Sequence, residues 1–281
     1  RCAVDLSRES VQPQPVAMVC LDLDGTLFNR SKQIGQLSRR QIQRCLDQGI
    51  EVAVVSGRAF QFAYKTAQLI DPRVAVIGFV GAYRHFRGQS EGEAIPQGAL
   101  MMMLKRLKAE NCCTFMKQLN TIWCSHADQL TTDYVAYTAD LPAEHRLSYY
   151  PNQDLEAVAA QTQKPVYKLL IRAQGKTEQI ADQLRNVEGV RLFVYPYGDI
   201  EVISAKADKG RAIRQAAKQL GMDPARILGI GDSINDLPMF EAAGLKIAMG
   251  NAVPELKKKA DIVAYSNHID GAAKAIEQYI L

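Results

Sequence analysis

Asp22 and Asp24 close the apolar run Val16-Ala17-Met18-Val19-Cys20-Leu21 and are followed by Gly25-Thr26-Leu27-Phe28. A run so poor in polar residues is expected of a strand covered on both faces in a parallel sheet. An unpaired buried carboxylate is costly, so both aspartates must sit at the open end of that strand beside a partner. Two carboxylates in period-2 register repel each other until a cation arrives, and Mg²⁺ is the natural candidate. The plainer alternative for Asp24-Gly25 is a turn, since Asp-Gly is a common hairpin signal. A calcium-binding helix–loop–helix is excluded by register. Counting from Asp22, Leu27 falls where the loop glycine belongs and Gln33 where the closing glutamate belongs.

Other polar residues fall at matching places. Ser56-Gly57-Arg58 follows the β-branched run Glu51-Val52-Ala53-Val54-Val55. Gly231-Asp232-Ser233-Ile234-Asn235-Asp236 follows the apolar run from Arg226 to Ile230. The C-terminal edge of the strands is where open α/β sheets bind ligands. Lys209 lies where the chain re-enters that pattern late in the sequence. The set offers carboxylates for a metal, a hydroxyl, an ammonium, and backbone N–H groups at glycine turns that open helices, which favour phosphate. That chemistry suits phosphoryl transfer, in which positioning and charge neutralisation dominate. A carboxylate can attack phosphorus only when a cation offsets its repulsion for phosphate. Each residue also has a structural alternative. Ser56 could cap the helix expected from Ala59, Lys209 could be a surface lysine, and Arg58 divides evenly between a substrate contact and a surface ion pair.

The elements that must position these residues alternate. A helix capped by Ser38 is expected to about Gln48, with Gly49 as its stop. A second helix runs from about Ala59 to Ile70, and a short strand covers Val74 to Ile77. This rhythm predicts βαβ crossovers and a parallel sheet. From about Tyr83 to Ala205 the rhythm changes to longer, half-buried strands with turns at Gly88 and Gly92. A helix over Gln97–Ala109 carries Met101 to Met103, read as core packing. A hairpin is expected from Cys112–Lys117 and Thr121–Cys124, and helices over 153–163 and 176–187. Strands are expected over 164–172, 190–195 and 200–204, and the βαβ rhythm resumes after Lys206. The fold class is therefore α/β: a Rossmann-like parallel-sheet core over 16–83 and 205–281, with an α+β cap inserted over 84–204. Residues 1–15 read as a disordered or vector-derived tail.

Composition excludes several classes. The 281 residues are 47% hydrophobic and 23% charged, ordinary for a globular chain with ample core. A net charge of +4 makes no case for a nucleic acid polymer, and Lys257-Lys258-Lys259 reads as a solvated helix face. No apolar run is long enough to span a bilayer. The six cysteines contain no CxxC pair, and His85, His126, His145 and His268 show no metal-ligand spacing. Scattered apolar cysteines suit a reducing compartment. With no secretory leader before it, Asn29-Arg30-Ser31 is read as a chance match to a glycosylation sequon. A cytoplasmic monomer or homodimer is expected.

Four motifs in order carry a resemblance: Asp22-Leu23-Asp24-Gly25-Thr26, Ser56-Gly57-Arg58, Lys209-Gly210, and Gly231-Asp232-Ser233-Ile234-Asn235-Asp236. From about Val16 to its end the chain resembles the haloacid dehalogenase superfamily, in the branch of Cof-like Mg²⁺-dependent phosphatases with a large α/β (C2-type) cap. The resemblance implies that Asp22 is the nucleophile, forms an aspartyl-phosphate and gives one oxygen to Mg²⁺. It implies that Asp24 is the general acid/base, with its backbone carbonyl in the metal shell. Asp232 would be the remaining ligand, and Asp236 would bind metal through water or fix Lys209. Ser56, Gly57, Thr26, Lys209 and Asn235 would hold or orient the phosphate. An acid two residues after the nucleophile points to a phosphatase or a phosphomutase, and the substrate implied is a small phosphomonoester: a sugar phosphate, nucleotide or cofactor phosphate. A non-catalytic phosphometabolite-binding protein on the same scaffold is the alternative from another class. One departure stands out: many Cof-like phosphatases carry Asn-Gly-Ala where this chain has Val80-Gly81-Ala82.

Overall fold

The computed structural model describes residues 15–281. The tail expected over 1–15 therefore lies outside the described residues, apart from Pro15.

The chain opens with β1 (Met18–Leu21), α1 (Gln36–Asp47), β2 (Glu51–Val55), α2 (Phe60–Gln68) and β3 (Ala75–Gly78). β1 and β3 are buried at every position, and β2 at all but its first. This is the burial that a sheet covered by helices on both faces requires. Helix α1 starts earlier than the sequence suggests. Gly35 is its N-cap, and Ser38 is buried inside the first turn rather than capping it. Gly49, at φ +78°, stops the helix as expected.

Next come β4 (Tyr83–Phe86) and β5 (Gln89–Gly92). β4 pairs antiparallel with β3, and β5 with β4. Both extend the sheet of the first unit, and Gly92 is a strand residue rather than a turn. The cap therefore does not begin at 84 as expected. Alternating burial revealed that this segment is a half-buried strand, but not which sheet it joins.

The inserted unit contains α3 (Gln97–Glu110), β6 (Cys113–Lys117), β7 (Thr121–Cys124), α4 (Gln129–Tyr137) and β8 (Ser148–Tyr150). It continues with α5 (Leu155–Gln161), β9 (Lys168–Arg172), α6 (Thr177–Arg185), β10 (Val190–Val194) and β11 (Asp199–Ser204). Helix α4 and strand β8 were not anticipated from the sequence. Six strands form one sheet in the order β10-β11-β9-β6-β7-β8, antiparallel except for β7–β8. One face of it packs on α3, α5 and α6 through Leu100, Met103, Leu169, Ile171, Ile180 and Val202. Of the methionine run only Met103 is fully buried, while Met102 is exposed.

The chain then returns with α7 (Lys209–Gln219), β12 (Ile227–Gly231), α8 (Leu237–Ala242), β13 (Leu245–Ala248), α9 (Pro254–Lys257), β14 (Ile262–Val263) and α10 (Gly271–Tyr279). The first sheet has the order β14-β13-β12-β1-β2-β3-β4-β5, parallel from β14 to β3. The α/β class with a parallel-sheet core and an inserted α+β unit therefore holds. β1 lies between β2 and β12, so the strand order reverses there, and the crevice at such a switch point takes ligands. No helix among the described residues is long and apolar enough to cross a membrane.

Candidate active site

Asp22 extends β1 by one ladder bond, its N–H donating to the Ile230 carbonyl at 3.0 Å. Its carboxylate is buried and accepts from Lys209 Nζ at 2.6 Å. Lys209 opens α7 and is wholly buried, and its ammonium also donates to Asp236 Oδ1 at 2.6 Å. Asp208, the N-cap, accepts from the Arg211 N–H at 2.6 Å and so fixes where the helix begins. Asp236 has no freedom left, since its Oδ2 accepts the N–H groups of Asp232 and Ser233 at 2.9 and 3.0 Å. Of the two roles offered for Asp236, fixing Lys209 is the one its bonds display.

Asp22, Asp232 and Asp236 each place a carboxylate oxygen within 4.8 Å of the others. Among the described residues Asp232 has only the Thr26 hydroxyl, at a long 3.4 Å, as side-chain partner. Burial first, and then the Asp236 carboxylate, push the Asp232 carboxyl up to about 7. Burial pushes Asp22 well above the carboxylate range too, with Lys209 opposing and Asp236 and Asp232 adding to the rise. Against the desolvation of its own burial, Asp22 and Asp236 hold Lys209 above its ordinary range as an ammonium. Three carboxylates face one ammonium, and a further cation would offset the excess negative charge. The donor set is all oxygen, as Mg²⁺ requires. The residues present therefore fit the metal. The loop around them has no slack. Gly25 sits at φ +77°, and a Cβ there would lie 2.0 Å from Asp232 Oδ2.

Asp24 departs from the expected pair. Its backbone is extended, and its carboxylate is not one of the three that converge with Asp22. It accepts from Arg58 Nε and Nη2 at 2.5 and 2.6 Å and from Lys32 Nζ at 2.9 Å. Despite desolvation, Arg58 and then Lys32 hold the Asp24 carboxyl below its usual range. Protein cations thus relieve the charge that the sequence assigned to a metal. A metal role for Asp24 is left to its backbone carbonyl. Arg58 is not a surface ion pair. Its guanidinium lies 4.2 Å from the Phe62 ring centre and 4.9 Å from that of Tyr134, a residue of α4.

Ser56 follows β2, and its buried Oγ accepts the Arg58 N–H at 3.1 Å. Ala59, not Ser56, is the N-cap of α2, so the capping alternative fails. The Gly57 carbonyl accepts from Lys168 Nζ of the cap at 2.6 Å. Asn235 donates through Nδ2 to the Tyr195 hydroxyl at 2.6 Å, while its buried Oδ1 has no partner among the described residues. Tyr195 and Lys168 both bond to Glu201. A polar chain of Gly57, Lys168, Glu201, Tyr195 and Asn235 therefore joins cap and core at the site's edge. Lys32, Lys168, Tyr195 and Glu201 were not foreseen. The strand over 164–172 was legible, but nothing in Lys168-Leu169-Leu170-Ile171-Arg172 says what its charged ends would face. Val80, in place of the asparagine of related motifs, is fully buried at φ 59°. That backbone conformation is uncommon for a β-branched residue.

Asp22, Asp24, Arg58, Lys168, Asp232 and Asn235 line one cavity of about 420 Å³ between the core strand ends and the charged face of the cap sheet, while Ser56, Lys209 and Asp236 lie behind its wall. A family model described as haloacid dehalogenase-like hydrolase matches residues 19–276. The chain belongs to the haloacid dehalogenase-like hydrolases. It is 30% identical over 285 residues to a Bacillus subtilis protein named 5-amino-6-(5-phospho-D-ribitylamino)uracil phosphatase, covering 93% of this chain and 97% of that one. It is 22% identical over 263 residues to a phosphoglycolate phosphatase of Methanothermobacter thermautotrophicus, covering 93% and 98%. A solved haloacid dehalogenase-like hydrolase from B. subtilis superposes with a TM-score of 0.82 at 26% identity, covering 94% of this chain and 100% of that one. The chain is thus an enzyme, a hydrolase of the phosphatase type, as the four motifs implied.

Proposed function

We propose that this haloacid dehalogenase-like hydrolase is a cytoplasmic Mg²⁺-dependent phosphatase that hydrolyses a small phosphomonoester through an aspartyl-phosphate on Asp22. The observation that carries the reading is the buried Lys209 clamped between Asp22 and Asp236, with Asp232 left short of a partner beside them. Lys209 aims the Asp22 carboxylate and, together with Ser56 Oγ and Asn235, offers contacts to the phosphoryl oxygens. The orphaned Asn235 Oδ1 is an acceptor in the same corner. Asp22, Asp232 and the Asp24 carbonyl would hold Mg²⁺, which supplies charge neutralisation of phosphate and nucleophile when bound.

An Asp22 oxygen forms the bond to phosphorus as the bond to the alcohol oxygen breaks. Asp24 gives that alcohol its proton. Asp24 then takes a proton from the water that attacks the aspartyl-phosphate, releasing inorganic phosphate and restoring Asp22. In the resting site Asp24 is ionised and held by Arg58 and Lys32. Arriving phosphate competes for those two cations and so frees Asp24 to carry a proton. The cap covers the reaction and limits water.

The test is p-nitrophenyl phosphate hydrolysis with and without EDTA, and in Asp22→Asn. Both chelation and the substitution are expected to abolish turnover, and full activity in Asp22→Asn overturns the reading. A rise in Tm with added Mg²⁺ that is absent in Asp232→Asn checks the metal independently of turnover.

A further inference from the structure

The cap sheet presents two different faces. One is apolar and covered by α3, α5 and α6. The other carries Lys117 of β6, Lys168 and Arg172 of β9, and Asp199 and Glu201 of β11, all lining the cavity over the site. The register places Lys117 directly opposite Lys168, and Asp199 opposite Arg172. Like charges directly opposed across a sheet are destabilising, and a buried cation without a partner more so.

Most of these charges are matched. Lys168 bonds to Glu201 and to the Gly57 carbonyl. Arg172 bonds to Asp128 at 2.5 Å. Arg58, facing them from the core, is held by Asp24. Lys117 and Asp199 are the exceptions among the described residues, and Asp199 stands opposite Arg172 in the sheet, whereas Lys117 stands opposite another cation. Lys117 is 5% exposed and lines the cavity, and its ammonium has no hydrogen-bond or ion-pair partner among the described residues, so it is open to what the cavity admits. Burial first, then Lys168, Arg58 and Arg172, depress it to about 7, with Glu201 opposing only in part. Phe115, whose ring centre lies 5.9 Å from the Lys117 Nζ, and Leu170 supply an apolar floor beside it. A protein has little reason to keep such a lysine inside a cavity unless something that enters it is negatively charged.

We propose that Lys117 reads a second anionic group on the alcohol portion of the substrate, so that the enzyme prefers phosphomonoesters bearing a remote carboxylate or second phosphate over esters of neutral alcohols. This rests on the phosphatase reading of the same site. The incoming anion bonds to the Lys117 ammonium, restores its proton affinity and offsets its repulsion from Lys168. The scissile phosphate meanwhile lies at Asp22.

The experiment compares matched esters with Mg²⁺ present. The carboxylate arm pairs 3-phosphoglycerate with glycerol 3-phosphate, and the phosphate arm pairs fructose 1,6-bisphosphate with fructose 6-phosphate. A charge-assisted bond to a buried lysine predicts a preference of about tenfold or more in kcat/KM, mainly through KM, in at least one arm. Lys117→Met and Lys117→Gln are expected to bring that ratio close to one, and Lys117→Arg to keep it. Circular dichroism checks that each variant folds, and the wild-type ratio is informative even where one does not. No preference in either arm, or a preference that survives in Lys117→Met, overturns the proposal. If wild type hydrolyses neither these esters nor p-nitrophenyl phosphate, the phosphatase reading falls instead. The ratio of calorimetric Kd values for the same pairs then decides the role of Lys117.

Discussion

Asp22, Asp24 and Asp232 are three carboxylates with three different environments. Asp22 faces a buried ammonium, Asp24 a guanidinium and an exposed lysine, and Asp232 little more than a distant hydroxyl. The proposed division into nucleophile, proton carrier and metal ligand draws on those surroundings, because a carboxylate's chemistry is set by what stabilises its charge. Gly25 makes the arrangement possible by letting the backbone pass against Asp232 where no Cβ fits. Gly25→Ala is therefore expected to move Asp232 and the turn after β1, not to unfold the sheet. A displacement of about 1 Å at such a site costs on the order of a hundredfold in rate. Kinetics beside an unchanged far-ultraviolet circular dichroism spectrum checks this, and near-wild-type kcat/KM would refute it.

Among elements, the junction of α7 and α8 carries the most consequence. Lys209 is delivered to the site by the first turn of α7, and Gly210 beside it lets α8 approach. A Cβ on Gly210 would lie 1.9 Å from the Pro238 carbonyl oxygen, backbone that has no room to give. Gly210→Ala should separate the two helices, lower stability by about 1–3 kcal/mol as overpacking does, and weaken activity by displacing Lys209. Urea unfolding together with steady-state kinetics measures both, and an unchanged denaturation midpoint would count against it. The turn after β3 is strained in another way. Val80 holds a left-handed conformation while its N–H donates to the Ser56 carbonyl at 3.0 Å. Such a residue costs about 1–3 kcal/mol, yet here the bond ties the third strand's exit to the loop after β2.

For the whole molecule, cap and core share a charged interior whose burden is measurable as a pH dependence. Lys117 is depressed from an ordinary 10.5 to about 7 by burial and by Lys168, Arg58 and Arg172, with Glu201 countering. Burial lowers Lys168 as well, with Glu201 opposing. Between pH 7 and 10 the unfolded chain binds more protons than the folded one at Lys117, so this lysine makes stability rise with pH across that window. Lys117→Met removes its contribution. The wild type should gain about 2–3 kcal/mol relative to the variant between pH 7 and 9.5, at about 1.4 kcal/mol per unit. Parallel slopes of unfolding free energy against pH would contradict this.

Much of the site was legible in the sequence because its chemistry is local to strand ends. Apolar runs that stop at Asp22, Ser56 and Asp232 mark one edge of a parallel sheet, and residue order alone brings those stops together. Lys209 and Asp236 were legible by position within ordered motifs. What the sequence could not determine depends on which side chains meet across distance. Asp24 turned to Arg58 rather than to a metal shared with Asp22, because Arg58 sits on a neighbouring loop that only the sheet brings within 2.5 Å. Strands β4 and β5 joined the core because pairing is a long-range choice, whereas periodicity records only burial. Half-buried strands were legible in the cap, but not what their charged face would meet. Only the packing of cap on core turned Lys117, Lys168 and Glu201 inward, where desolvation makes each charge matter.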